Sequence, residues 1–150
     1  MKPKILITDK IHESAIEEAR KFADVTTAFG ASEEEIINKI PGYDALIVRS
    51  GTQVTRKIIA ASDLKVIGRA GVGLDNIDLE AAKEKGVIVV NAPESLTIAV
   101  AEMTFGMIIS LMRNIVRGDR SLREKKWDRS KFMGNELYGK TIGVVGFGRI

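Results

Sequence analysis

Short apolar runs that alternate with helical segments are the feature that most constrains the fold of this 150-residue chain. Runs of this kind are typical of strands buried on both faces of a parallel sheet. The predicted strands are residues 4–8, 24–29, 44–50, 64–67 and 87–93. The predicted helices between them are residues 13–22, 32–40, 55–61 and 79–85. Because strands and helices alternate, we expect right-handed crossovers and an α/β fold with one parallel sheet.

The ends of the last three predicted strands carry groups suited to binding a small anion. They are Arg49 and Ser50 at the end of the third strand, Arg69 and Gly71 after the fourth, and Asn91 near the end of the fifth. Ligands of parallel α/β sheets bind outside the carboxyl ends of the strands, so we expect these groups to share one edge. We also expect Gly68, Gly71 and Gly73 to adopt positive φ and to turn successive N–H groups into one concavity. A tight turn around a surface arginine is the alternative for each loop alone, but three such endings favour an anion site.

The chain changes in character after Pro93. A helix of about 20 residues is predicted to start near Thr97 and to be apolar on nearly all sides, which indicates a bridging or interface helix. Its length approaches that of a membrane span, but Glu102 and Arg113 would each cost roughly 2.5–3.5 kcal/mol at the centre of a bilayer. We therefore expect no membrane association.

Residues 113–131 form a basic arm. They contain eight basic and three acidic residues, a net charge of +5 in a chain whose total is +3. No helix-turn-helix, zinc or RNA-binding signature accompanies this charge, so we expect no nucleic-acid partner. A solvated arm, or one that supplies cations to an anionic ligand of a partner subunit, explains the same pattern. Trp127, Phe132 and Met133 add apolar anchors that are typical of a subunit interface.

The last stretch predicts the beginning of a dinucleotide-binding turn. Residues 140–145 predict a strand, and Gly146-Phe-Gly148-Arg149-Ile150 matches the first part of the pattern G-x-G-x-x-G. A plain turn is the alternative. The helix that would hold a pyrophosphate is missing, so we expect a truncated second domain. The chain has no cysteine, which excludes disulfides and thiolate metal sites and favours a cytoplasmic protein.

Several motifs, in this order and spacing, resemble those of the D-2-hydroxyacid dehydrogenases. The matching segments are residues 48–55, 66–78, 90–93, 101–102, 126–134 and 137–150. The resemblance implies a flavodoxin-like or Rossmann-like parallel-sheet domain that binds substrate, then a bridging helix, then the start of a second, Rossmann-type domain that binds NAD. The implied boundaries are residues 1–96 for the substrate-binding domain, 97–138 for the bridging helix and basic dimerisation arm, and 139–150 for the first strand and turn of the truncated NAD-binding domain.

The resemblance also implies an activity. It is the NAD-dependent oxidation of 3-phospho-D-glycerate to 3-phosphohydroxypyruvate, the first step of L-serine biosynthesis, by a cytoplasmic homodimer or higher homo-oligomer. The implied substrate-binding residues are Arg49, Ser50, Arg69, Gly71, Asn91 and Arg129. The implied cofactor-binding residues are Val72, Gly146, Gly148, Arg149 and Ile150. The arginines would bind phosphate and carboxylate, with Arg129 reaching the substrate of the neighbouring subunit, and no metal is implied.

The resemblance places the catalytic arginine, glutamate and histidine of the family beyond Ile150. We therefore expect no catalytic residue in residues 1–150 and no turnover by them alone. The single histidine, His12, is expected at the surface, and Glu102 is not expected to be catalytic.

Two other functions stay open. A glyoxylate or hydroxypyruvate reductase of the same family is one, because arginines bind a carboxylate whether or not a phosphate is present. A non-catalytic, dimerising module that senses a ligand is the other, because a fold does not determine its function.

Overall fold

The first part of the chain is built on a parallel sheet of five strands. The computed structural model describes residues 2–150, which divide into two units, one up to Ser95 and the other Leu96–Ile150. The strands are β1 (Lys4–Ile7), β2 (Asp24–Thr27), β3 (Ala45–Val48), β4 (Val66–Arg69) and β5 (Ile88–Asn91). The helices between them are α1 (Glu13–Arg20), α2 (Glu33–Lys39), α3 (Arg56–Ala61) and α4 (Leu79–Lys85). The strand order β2-β1-β3-β4-β5, with every neighbouring pair parallel, is the doubly wound order of flavodoxin-like folds, so the predicted α/β fold is confirmed.

Helices pack on both faces of this sheet, and successive side chains of a strand point to opposite faces. Leu6 and Ile67 are fully buried on the face that packs against α2, α3 and α4. Ile7 packs against Ile16 and Ala19 of α1 on the other face. Packing on both faces explains why β1 and β3 are apolar runs and not alternating patterns, whereas two side chains of β5 on the α1 face are exposed.

Side chains and one glycine define the helix ends predicted from the sequence. The hydroxyl of Ser32 accepts a hydrogen bond from the N–H of Glu35, and the Glu35 carboxylate accepts one from the N–H of Ser32 at 2.8 Å, so the predicted capping box begins α2. The backbone N–H of Ser32, and secondly its hydroxyl, hold the pKa of Glu35 below its usual value. Gly86 ends α4 in the left-handed conformation at φ 74°, as predicted.

Lys85 of α4 caps the neighbouring helix α3. Its ammonium group donates to the carbonyl oxygens of Ile59 and Ala60, both at 2.7 Å, and to that of Ser62. A lysine has three N–H donors, so each of them has an acceptor at the negative end of the α3 dipole.

Asp44 joins three strands at the amino edge of the sheet. Its carboxylate accepts hydrogen bonds from the Lys65 ammonium group at 2.7 Å and from the N–H of Lys4 at 2.9 Å. The bond from Lys65, and secondly that from Lys4, lower the pKa of Asp44.

The second unit begins with two helices where one was predicted. They are α5 (Thr97–Met112) and α6 (Ile115–Arg123), and their axes differ by 64°. The predicted helix through Val116 is wrong because Asn114 adopts the left-handed conformation at φ 53°, which interrupts the ladder of i to i−4 hydrogen bonds. No residue of α5 is buried within the described part of the chain, and its apolar side chains Met103, Phe105 and Leu111 are exposed, so its role as a bridging or interface helix stays a prediction. Among residues 2–150 no single helix is long and apolar enough to cross a membrane, and only α5 and α6 taken together meet that criterion.

The strand predicted at residues 140–145 is not formed. The segment from Lys140 to Ile150 has no regular secondary structure and is exposed throughout. A strand exists only when its N–H and C=O groups pair with a neighbour, and no strand among residues 2–150 pairs with this segment. The turn that follows does contain a left-handed glycine, Gly146, at φ 95°.

Candidate functional site

Three of the strand ends predicted to bind an anion lie next to one another. Val48, Arg69 and Asn91 are register partners in the adjacent strands β3, β4 and β5. The N–H of Ala70 donates to the carbonyl of Val48 at 2.8 Å, so the chain stays paired up to the point where β3 ends. The strands β3, β4 and β5 therefore end side by side, and the residues that follow them lie at the same edge of the sheet, as the sequence predicted.

The Arg69 guanidinium lies directly over Gly71. A Cβ atom at position 71 would be 1.7 Å from Arg69 Nη1 and 2.7 Å from Arg69 Cζ, so only glycine leaves room for this conformation. The Nε atom of Arg69 is buried and has no hydrogen-bond partner among residues 2–150. A buried donor without an acceptor costs about 1–3 kcal/mol, which an anion bound beside it would recover. The geometry thus favours an oxyanion at Arg69.

Glycine is needed in this loop because a Cβ atom would clash with neighbouring side chains, and not because the backbone has positive φ, which corrects the expectation from the sequence. None of Gly68, Gly71 and Gly73 has positive φ. A Cβ at position 73 would lie 2.7 Å from the Asp75 carboxylate, whereas one at position 68 would meet its nearest atom at 3.7 Å, an ordinary contact. Gly71 and Gly73 therefore allow side chains to fold over the loop, and Gly68 is an ordinary residue of β4.

The expected concavity of N–H groups is present only in part. The N–H of Gly71 donates to the carbonyl of Arg69 at 2.8 Å and is not available to a ligand. The N–H groups of Val72 and Gly73 donate to no residue within the described chain. The Asn91 side-chain amide donates to the carbonyl of Val72 at 2.6 Å and so ties this loop to β5.

The loop after β3, residues Arg49–Thr52, is held by side chains that sequence reasoning missed. The Asp9 carboxylate accepts hydrogen bonds from the N–H groups of Arg49 at 2.6 Å and Thr52 at 3.0 Å. The Asn76 amide donates to the carbonyls of the same two residues, at 2.7 Å each. The available signals were the position of Asp9 two residues after the end of β1 and that of Asn76 within the glycine-rich motif. Arg49 and Ser50 themselves are exposed.

The remaining predicted residues belong to the second unit. Arg129 is exposed in a 3₁₀ turn (Arg129–Phe132). Gly146, Gly148, Arg149 and Ile150 follow the segment in which no strand forms. The positive φ of Gly146 fits a tight turn against a pyrophosphate, but no helix follows it among residues 2–150, so the NAD site is not assembled there.

Three residues of the predicted anion site, Arg49, Ser50 and Asn91, are exposed within the described part of the chain. A groove of about 750 Å³ lies elsewhere, between Phe29–Ala31 and the α2 residues Glu35, Ile36 and Lys39. It contains none of the predicted anion-binding residues. The donors at the carboxyl edge locate the site better than the groove, because binding an anion requires donors.

His12 does not take part in this edge. Its Nδ1 atom accepts a hydrogen bond from the N–H of Ser14 at 3.2 Å and caps the beginning of α1. Among the described residues, no group of three or more acidic, histidine or cysteine side chains could hold a metal ion.

Comparison with known proteins gives consistent matches. The family described as D-isomer specific 2-hydroxyacid dehydrogenase, catalytic domain, matches residues 5–143. The D-3-phosphoglycerate dehydrogenase of Methanocaldococcus jannaschii is 55% identical over 148 residues, which are 98% of this chain and 28% of that protein. The protein of the same name from Synechocystis is 50% identical over 98% of this chain and 27% of its own length.

A solved structure of a more distant relative has the same fold. The D-lactate dehydrogenase of Aquifex aeolicus, in complex with NAD and lactic acid, superposes with a TM-score of 0.83 at 27% identity. The match covers 97% of this chain and 45% of that chain. The chain thus spans less than a third of the curated relatives described above, at 28% and 27% of their lengths.

Proposed function

We propose, since the chain belongs to the D-isomer specific 2-hydroxyacid dehydrogenase family, that it is the substrate-binding part of an NAD-dependent D-3-phosphoglycerate dehydrogenase. The reaction is the oxidation of 3-phospho-D-glycerate to 3-phosphohydroxypyruvate, the first step of L-serine biosynthesis. The observation that carries this proposal is the Arg69 guanidinium over Gly71, with a buried Nε that has no hydrogen-bond partner among residues 2–150. It presents a cation beside the loops that carry Arg49 and Asn91, which suits a substrate with two anionic groups.

In this proposal the residues of the edge bind and orient the substrate. Arg69 and Arg49 bind its carboxylate and phosphate, because a guanidinium matches both groups with paired N–H donors. The hydroxyl of Ser50 and the N–H groups of Val72 and Gly73 offer further donors. Asn91 holds the loop of Val72 in place through its amide.

The redox chemistry belongs to the cofactor, since a bound nicotinamide accepts the hydride. A base must remove the hydroxyl proton, and histidine is the usual residue for this near neutral pH. His12 caps α1, so we place the base, with its arginine and glutamate partners, beyond Ile150. We assign cofactor contacts to Val72, and to Gly146, Gly148, Arg149 and Ile150 once they belong to a complete NAD-binding domain.

The organisation of the whole protein is part of the same proposal. Residues 1–96 bind substrate, residues 97–138 bridge and dimerise, and residues 139–150 begin the NAD-binding domain. Arg129 then supplies a cation to the substrate of a neighbouring subunit in a cytoplasmic homodimer or higher homo-oligomer. Its exposure and the basic surroundings support this role.

The test is steady-state kinetics with Arg69→Ala in a form of the protein that extends beyond residue 150. We expect a rise in the KM for 3-phosphoglycerate of about 10- to 100-fold, because a hydrogen bond to a charged group is worth about 1.5–3 kcal/mol. Arg20→Ala is the control, since Arg20 is an exposed arginine of α1 whose contact with Glu13 is 3.4 Å long. Residues 1–150 alone should show no turnover.

The outcomes separate the proposal from its alternatives. An unchanged KM in Arg69→Ala removes this residue from the site, and turnover by residues 1–150 refutes the placement of the base. Preference for glyoxylate or hydroxypyruvate over the phosphorylated acid indicates a reductase of the same family. Absence of any turnover by the extended protein indicates a ligand-sensing module.

A further inference from the structure

Two side chains hold the Arg49 loop, residues Arg49–Thr52, at four backbone points. One oxygen of the Asp9 carboxylate accepts both flanking N–H groups, those of Arg49 at 2.6 Å and Thr52 at 3.0 Å. One nitrogen of the Asn76 amide donates to both flanking carbonyls, those of the same residues, at 2.7 Å each. Ser50 and Gly51 lie between these points and are exposed. The backbone on each side of the dipeptide is therefore fixed through both its N–H and its C=O.

Asn76 lies at the end of the loop after β4, residues 70–75, which we call the Arg69 loop. It follows the loop of Gly71 and Gly73, and its own carbonyl accepts a hydrogen bond from the N–H of Val54 at 2.8 Å. Val54 and Ile77 form a parallel bridge directly beside it. Asn76 thus connects the segment after β3 with the segment after β4 through both its backbone and its side chain.

The chemistry of the amide indicates a specific role. Asn76 is 5% exposed, and its Oδ1 atom is buried without a partner among residues 2–150. A buried acceptor of this kind is unfavourable, so packing alone would select an apolar side chain of similar size. Only the NH₂ group supplies two hydrogens from one atom to two carbonyls, and aspartate has the same shape without either hydrogen.

We propose that Asn76 is a positioning residue that sets the Arg49 loop against the Arg69 loop, so that both arginines reach the two anionic groups of one small substrate. The inference rests on the proposed function, because it assumes that these loops bind substrate. Asn76 acts through the backbone of residues 49 and 52 and contacts no substrate itself. The role should therefore appear in substrate binding and in local loop mobility, with little effect on the chemical step.

The test compares Asn76→Asp with the wild type in the protein extended beyond residue 150. Asn38→Asp is the matched control, because Asn38 is an exposed residue of α2. We expect the KM for 3-phosphoglycerate to rise about tenfold or more, because two carbonyls lose their hydrogen bonds and face a carboxylate instead. The kcat should change by less than about threefold. Hydrogen–deuterium exchange should increase in the peptide that contains residues 49–52 and stay unchanged in β1 and β3.

A second variant perturbs the hydrogen bonds that the N–H groups of the same loop donate to Asp9. A Cβ at position 51 would lie 2.6 Å from Asp9 Oδ1, so Gly51→Ala displaces the carboxylate while Asn76 stays intact. It should raise KM and local exchange in the same manner, which keeps the proposal testable if Asn76→Asp does not fold.

The results overturn the inference in distinct ways. An unchanged KM in a folded variant, or unchanged exchange at residues 49–52, refutes the positioning role while the proposed function stands. A fall in kcat with an unchanged KM refutes it too, because positioning of the substrate arginines acts on binding. An inactive wild type overturns the proposed function and this inference together.

Discussion

Replacing Gly71 by alanine tests the placement of the Arg69 guanidinium without removing any charge. The new Cβ would stand 1.7 Å from Arg69 Nη1 and 2.7 Å from Arg69 Cζ, distances that no pair of non-bonded atoms tolerates. The backbone of Gly71 does not have positive φ, so alanine fits the backbone itself. The guanidinium must therefore move away while the loop keeps its course.

The expected magnitudes separate binding from stability. A displaced guanidinium loses its bond to a charged substrate group, which is worth about 1.5–3 kcal/mol or roughly 10- to 100-fold in KM. Stability changes less, because a glycine-to-alanine change at a compatible backbone contributes about 0.4–1 kcal/mol through the unfolded state and offsets part of the displacement. The assays are steady-state kinetics with 3-phosphoglycerate and urea unfolding of the same preparation.

Gly68→Ala is the matched control for this experiment. Its Cβ would meet Ile47 at 3.7 Å and Val90 at 3.9 Å, which are ordinary contacts, so the KM should stay at the wild-type value. If Gly71→Ala also keeps the wild-type KM, the guanidinium either does not lie over residue 71 or does not bind the substrate, and the argument for the site fails.

Two further predictions concern the stability of the first unit. Lys85→Met should lower the free energy of unfolding, measured by urea titration, by about 1–2 kcal/mol, because three carbonyls at the end of α3 lose a cationic donor. Lys83→Met loses no such contact, so its free energy of unfolding should lie within about 0.5 kcal/mol of the wild-type value. The pKa of Asp44 is lowered in the folded state, so its contribution is present above the usual pKa of an aspartate, about 3.9, and is lost as the pH falls through the folded value. The difference in unfolding free energy between the wild type and Asp44→Asn should thus be constant near neutral pH and shrink below about pH 4, and a difference independent of pH would contradict the role of the Lys65 contact.

The elements of the first unit could be predicted because hydrophobic pattern and capping signals are local. Their ends could not be predicted so well, and β4 shows why. The apolar run begins at Leu64, but the strand is Val66–Arg69, since its limits are set by pairing with β3 and β5. Similarly, the apolar residues Ile115 and Val116 continue the pattern of α5, so only the left-handed conformation of Asn114 reveals that the helix ends.

The charged groups of the candidate site could be predicted from their positions after strands, whereas their supports could not. Asp9 contacts the backbone of Arg49, 40 residues away, and Asn76 contacts it across 27 residues. Each bond joins a side chain to the backbone of a residue distant in sequence, so the position of Asp9 or Asn76 can single out the residue but does not reveal its partner. The role of Gly71 was misassigned for a related reason. Whether a glycine is needed for positive φ or for the room it leaves depends on where a neighbouring side chain lies, which the sequence does not show.

Exposure to water limits how much each residue of the candidate site contributes to binding an anion. Arg49 and Asn91 are exposed, and ion pairs formed at exposed side chains contribute about 0–1 kcal/mol because water screens them. Arg69 differs, since its Nε is already removed from water and an anion beside it interacts through a medium of lower dielectric constant. A covering segment that excludes water would raise the contributions of all three residues without changing their geometry. Under the proposed function, the carboxyl edge therefore determines which anion fits, and a segment that covers this edge determines how tightly the anion is held.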